Sequence, residues 1–393
     1  MRNGLNITGV SEMVHELRER PEEAVADFSV ECPAGPAAEG AVTAATRTAR
    51  IGTLRAARPF TLTHRLSWPP GAAGPSPSPH ESALAALASC VLITQVNGVS
   101  ARGVTIGSLQ VTARAELALD ASGGPVPGRP LQHLRWHCDL ESDGTADVVA
   151  SVVRLVTAFS PNHRAFTDAC PFDLVTVNGK PLTSADAAAS VSGAESGAAA
   201  TVEATVVWEY GSEAAYTTAT SVDGVRRASL TGLTARTVDQ TKQMLGIDKG
   251  PNSQEILLAA VCAELFAGLN GALEGGPPGG LVLRAGGRID HRGMMNVLRT
   301  VPSRVHDLSL EVSAPGAAPA RTQDLVRAAL SRSVLVATLA HPRTVEVELW
   351  HNGTPALDCV TDTAGAEAMR DELTRRAAAA AAAAAQPAAA DAT

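Results

Sequence analysis

Pro79-His80-Glu81-Ser82-Ala83-Leu84-Ala85-Ala86-Leu87-Ala88-Ser89-Cys90 sets a cysteine deep in an alanine- and leucine-rich helix, and Ala169-Cys170-Pro171 follows far downstream. A thiol in a helix of small residues, with a second thiol remote in sequence, is the pattern of a two-cysteine redox site. The arrangement recurs without its cysteines. Ser253-Gln254-Glu255-Ile256-Leu257-Leu258-Ala259-Ala260-Val261-Cys262-Ala263-Glu264 aligns with the first stretch without gaps. Matching Glu81 to Glu255 and Leu84 to Leu258 puts Glu264 opposite Cys90 and Cys262 opposite Ala88, so Cys262 is expected to be a small core residue. Ser160, Thr167, Ala169 and Pro171 match Ser331, Thr338, Ala340 and Pro342, which sets His341 opposite Cys170. The chain reads as a tandem duplication in which one copy keeps both thiols.

The expected organisation is a helical extension over 1–26, a first domain over 27–182, an Ala/Ser/Gly linker over 183–200, a second domain over 201–358 and a helical, alanine-rich tail over 359–393. Ser78-Pro79-His80-Glu81 is a capping box, with Ser at the N-cap, Pro at the first helical position and Glu three residues after the cap. Capping alone therefore explains Glu81. Strands are expected around Val42 to Ile51 and Phe60 to Leu66, from Leu109 to Leu119, where apolar residues alternate, and from Leu131 to Leu140. A helix over 147–160 and a strand through Val177 to the turn at Asn178-Gly179 complete the first copy. Within Leu131 to Leu140, strand periodicity sends Cys138 to one face and His133 and His137 to the other, which argues against a metal site there.

With 393 residues, 45% of them apolar, the chain has material for two ordinary cores. A net charge of −8 gives no electrostatic reason to bind nucleic acid or an anionic membrane. Apolar runs look too short for a membrane span, and Glu12, Glu16 and Glu19 stand where a secretory leader would be apolar, so a cytoplasmic protein is expected. Six scattered cysteines are a poor disulfide framework for such a compartment. Neither a metal nor a bound cofactor is expected.

The stretch Ser78 to Cys90, the tripeptide Ala169-Cys170-Pro171 and the element order of each copy resemble the OsmC/Ohr family of thiol-dependent hydroperoxide reductases. The resemblance covers most of residues 40–180 and, more weakly, 202–355. It implies an α+β fold in which tandem domains form an intramolecular pseudo-dimer, with curved antiparallel sheets around two central helices. It also implies that Cys90 attacks a peroxide to become a sulfenic acid, that Cys170 resolves it as a disulfide, and that an external dithiol reductant reopens that bond. The family pairs an arginine from the strand before the helix with the first glutamate of a Pro-Glu-Glu start. Arg65 matches the arginine, but His80 occupies the place of the first glutamate, leaving Glu81; the second copy has Gln254 and Glu255. The helix start and Cys90 lie roughly 15 Å apart along one axis. A helix start therefore reaches a cysteine only from the other copy, which puts Gln254 or Glu255 beside Cys90 and His80 beside Glu264.

Three functions are open to such a chain. The first is a thiol peroxidase for organic hydroperoxides. The second is a scaffold recruited for non-redox chemistry on an apolar small molecule, in which Glu264 and His341 act as an acid–base pair; the plainer account of Glu264 is an ion pair with Arg226 or Arg227. The third is a non-catalytic binder of an apolar ligand. Further pairing into a homodimer is compatible with each.

Overall fold

The computed structural model describes residues 1–33, 40–68, 76–182, 198–273 and 280–385, with side chains to residue 379. Residues 183–197 of the expected linker, 69–75 of the Pro/Gly loop and 386–393 of the tail lie outside the described residues.

Two helices, Pro79–Ala101 and Ser253–Ala272, pack against each other at the centre. Both carry apolar residues around most of their circumference and are buried along most of their length, as a helix must be when it has no polar face to turn to water. Each opens with a capping box. Ser78 accepts from the Glu81 N–H while Glu81 accepts from the Ser78 N–H, and Asn252 and Glu255 do the same. The expectation that no apolar run nears membrane-spanning length is corrected here: these helices are 23 and 20 residues long with mean hydropathies of 1.6 and 1.5. Of those apolar stretches 83% and 67% are buried inside the fold, so the core of the protein already accounts for their hydropathy.

A mixed sheet lies against each helix. The first runs Leu54–Ala56, Ala49–Ile51, Val25–Cys32, Val282–Asp290, His306–Ser313, Phe172–Val177 and Lys180–Pro181, with Ala41–Thr46 also paired to Val25–Cys32 and Thr61–Arg65 paired to Ala41–Thr46. The second runs Val225–Leu230, Glu213–Val222, Ala198–Tyr210, Ile106–Leu119, Gln132–Ser142, Val345–His351 and Thr354–Thr361, with Arg236–Val238 beside Glu213–Val222. Each sheet joins strands from both halves of the sequence: Val25 pairs with Asp290 and Cys32 with Leu283, while Ala198 pairs with Leu119 and Val207 with Gln110. The sheets are not purely antiparallel as expected. Phe172–Val177 runs parallel to His306–Ser313, and Val345–His351 parallel to Gln132–Ser142. Strands contributed by different halves meet at these two junctions, where no hairpin dictates direction.

Two local expectations shift. The N-terminal helix is Ile7–Glu19, and from Val25 the chain is a strand whose residues alternate between half-buried and buried, so the extension ends before 26. The helix expected over 147–160 is Ala146–Phe159, and a second helix, Pro161–Thr167, begins at once because Pro161 cannot continue the first and is suited to the opening position of the next. Cys138 is buried and its thiol donates to Gln95 Oε1 at 3.4 Å, whereas His137 lies between Asp139 and Glu348, so the strand separates sulfur from imidazole as expected.

Candidate thiol site

Cys90 lies inside the first central helix, 3% exposed, where that helix meets the break at Ser160-Pro161. Three groups donate to its sulfur: the Ser160 hydroxyl at 3.2 Å, the Asn162 backbone N–H at 3.3 Å and, more distantly, the Gln254 amide at 3.5 Å. The break explains the first two. A helix leaves its first N–H groups without internal acceptors, and Pro161 has none to offer, so the Asn162 N–H is free to point at sulfur. Gln254 arrives from the start of the other central helix, as helix geometry required. Every donor to Cys90 is uncharged. Burial pushes the thiol above its ordinary pKa, and the hydrogen bonds from Ser160, Asn162 and Gln254 offset only part of that shift.

A cavity of about 450 Å³ opens on Cys90. Its walls are apolar and include Phe28, Val156 and four methionines, Met13, Met244, Met294 and Met295, with Gln254 beside the thiol. Methionine walls adapt to irregular apolar shapes. The N-terminal helix contributes Met13 and the C-terminal helix Leu373, so both end segments of the chain help enclose it.

The corresponding position in the second central helix is Glu264. One carboxylate oxygen lies 3.2 Å from His80 Nε2 and accepts from the Val334 N–H at 2.9 Å; the other accepts from the Ser333 hydroxyl and from the Leu335 N–H at 3.1 Å. Serine hydroxyl and helix-start N–H thus converge on Cys90 and on Glu264 alike. Burial opposes the charge on Glu264, but His80 and these donors outweigh it and hold the carboxyl below its usual range. The suggested ion pairs with Arg226 or Arg227 are not formed: Arg226 binds Glu203 at 2.8 Å and Arg227 is exposed near the start of strand Val225–Leu230.

The arginines fall elsewhere. Arg65 is 3.7 Å from Glu81 and donates to Ser229 at 3.0 Å, and Glu81 also accepts from Thr220 and Ser229. Arg58, which the sequence reading passed over, is fully buried and forks onto Glu255 at 2.9 and 2.7 Å, with Asp248 and the Gly250 carbonyl beside it. The signal for it was the second capping glutamate. A buried Glu255 demands a cation just as Glu81 does.

Cys170 is buried away from these groups. Its thiol donates to the Val305 carbonyl at 3.1 Å, Arg304 approaches at 3.9 Å, and burial pushes it up to about 12. Among the described residues Cys90 and Cys170 share no hydrogen-bond partner, and both are free thiols. His341 is exposed at the end of helix Val334–Ala340 and does not meet Glu264, so the suggested acid–base pair is not assembled. Nor is His341 the counterpart of Cys170. The Cys170 N–H donates to the Leu339 carbonyl and the Arg343 N–H to the Phe166 carbonyl, a reciprocal pair that sets Arg343 opposite Cys170. Helices Pro161–Thr167 and Val334–Ala340 agree with this register, and the Ala-X-Pro match that pointed to His341 is a slip of two residues.

Residues 71–175 match the family model described as OsmC-like protein. No curated protein matches the chain.

Proposed function

Because residues 71–175 belong to the OsmC-like family, we propose that the chain is a thiol-dependent peroxidase that reduces apolar organic hydroperoxides at Cys90. The observation that carries this reading is the methionine-walled cavity of about 450 Å³ ending on a sulfur with three donors around it. In the step proposed, the Cys90 thiolate attacks the distal peroxide oxygen. The S–O bond forms as the O–O bond breaks, and the departing alkoxide takes up a proton to leave as an alcohol. The resulting sulfenic acid condenses with a second thiol, Cys170 or one from solution, losing water and forming a disulfide that an external dithiol reduces. The Ser160, Asn162 and Gln254 donors favour the thiolate without a cation.

The same reading takes the fold as two OsmC-like halves, 27–182 and 201–358, closed into an intramolecular pseudo-dimer. Its support is the strand exchange between the sheets and the reciprocal bonds at Cys170 and Arg343. The half holding Glu264 is then a spent site whose carboxylate binds a helix start in place of chemistry. A cytoplasmic location and a dithiol reductant belong to the reading. So does the absence of nucleic-acid and membrane partners.

A second reading rests on the neutral surroundings and raised pKa of Cys90: the cavity binds an apolar ligand without redox chemistry. One equivalent of cumene hydroperoxide separates the two. Peroxidase chemistry adds one oxygen to Cys90, or removes two hydrogens with a second thiol, as read by intact mass and peptide mapping. An unmodified Cys90 sinks it and leaves the binding reading, in which Cys90→Ser retains ligand.

A further inference from the structure

Asn162 is fully buried, and every polar atom of its side chain is engaged. Its Nδ2 donates to the Ala86 carbonyl at 2.8 Å and to the Ser253 carbonyl at 2.9 Å. Its Oδ1 lies 3.5 Å from the Gln254 amide, and its backbone N–H meets the Cys90 sulfur. Ala86 lies one helical turn before Cys90, and Ser253 is the residue before Gln254. One side chain therefore pins the turn that carries the thiol to the residue that carries the amide, across the contact between the two central helices.

We infer that Asn162 is the positioning residue of the Cys90 site: its carboxamide fixes the register of the two helices so that the Gln254 amide and its own N–H both reach the sulfur. The second half shows what its absence looks like. There the N–H groups on the carboxylate come from Val334 and Leu335, whose side chains have no polar atom to bridge the helices, and Glu264 gathers its donors with two oxygens of its own. A sulfur, which accepts weakly and at one point, needs its donors brought to it. A 3.5 Å amide contact is the kind that small misplacement loses, because hydrogen bonds weaken steeply off geometry.

This inference rests on Cys90 being the reactive thiol of the proposed function, yet its test reads the thiol directly. The rate of Cys90 alkylation by iodoacetamide is followed against pH in the full chain and in Asn162→Ala, Asn162→Ser, Gln254→Leu and the double variant Asn162→Ala/Gln254→Leu. Thermal melts verify folding. The expected result is a pH midpoint raised by about one unit in Asn162→Ala, so that alkylation slows roughly tenfold at a given pH below it. Gln254→Leu should slow it comparably, and the double variant no further, since both changes break one link. A parent-like profile in Asn162→Ala or Asn162→Ser overturns the inference, as does a parent-like profile in Gln254→Leu or a double variant whose loss is the product of the single losses. Should hydroperoxide leave Cys90 untouched while these profiles shift as expected, the peroxidase reading fails and the positioning role stands.

Discussion

His80, at the start of one central helix, holds Glu264, midway along the other, with 3.2 Å between Nε2 and Oε1. The contact crosses the two halves, and Glu264 in turn ties down the start of helix Val334–Ala340 through Ser333, Val334 and Leu335. Because the Glu264 carboxyl titrates below its ordinary 4.5, its contribution to stability is fully present above that value. It is lost as pH falls through the lower, folded-state pKa. Glu264→Gln is therefore expected to unfold more easily than the parent at neutral pH and to approach it in strong acid. Urea titrations from about pH 7 down to about pH 3 read the difference; a gap that does not shrink would show that charge on Glu264 contributes nothing.

The two capping glutamates predict unequal losses. Arg58 is wholly buried and forks onto Glu255, so Arg58→Ala strands a buried carboxylate and should cost about 3–5 kcal/mol. Arg65 stands at 3.7 Å from Glu81, which keeps the Thr220 and Ser229 hydroxyls when the arginine is removed. Arg65→Ala should cost about 1 kcal/mol. Denaturant midpoints of the two variants decide; equal losses would contradict this account of the helix starts.

What the sequence disclosed follows the range of the physics involved. The capping box at Ser78 is a local rule and was legible, while its counterpart at Asn252, which obeys the same rule, went unread. The crossed pairing of Gln254 with Cys90 and His80 with Glu264 was legible too, since helix rise alone forbids a helix start from attending its own cysteine. The choice of Arg58 over Arg65 as the buried fork was not legible, because tertiary placement of Thr61–Arg65 decides which arginine reaches which glutamate. The likeness of Ala340-His341-Pro342 to Ala169-Cys170-Pro171 misled, since three residues of identity cannot outweigh the register of two helices. The cavity was invisible: Met13, Met244 and Met294 meet only after the chain has closed on itself.

Cys90 should behave as a thiol and not as a resting thiolate. Burial raises it and among the described residues no cation compensates, so its alkylation rate is expected to climb through the ordinary thiol range, around pH 8.5, and to level off only above it. Stopped aliquots digested and quantified by mass spectrometry give the rate at Cys90 against that at half-buried Cys359. A plateau below about pH 7 would reveal a cation or conformer that activates the sulfur before substrate arrives.

The order of oxidation follows from the different partners that hold the two thiols. Cys170 is held by the Val305 carbonyl through its thiol and by the Leu339 carbonyl through its N–H, neither of which touches Cys90. A disulfide between them must break the thiol's bond to the Val305 carbonyl, whereas oxygen transfer to Cys90 needs neither contact broken. Peroxide oxidation should therefore leave a Cys90 sulfenic acid that lives long enough to be trapped by a cyclic dione. Cys170→Ser should form it as fast as the parent. The variant should differ only afterwards, by losing the product two hydrogens lighter and by accumulating over-oxidised Cys90. Trapping with rapid-quench mass spectrometry resolves the sequence, and a slower first step in Cys170→Ser would mean that the two thiols act together from the outset.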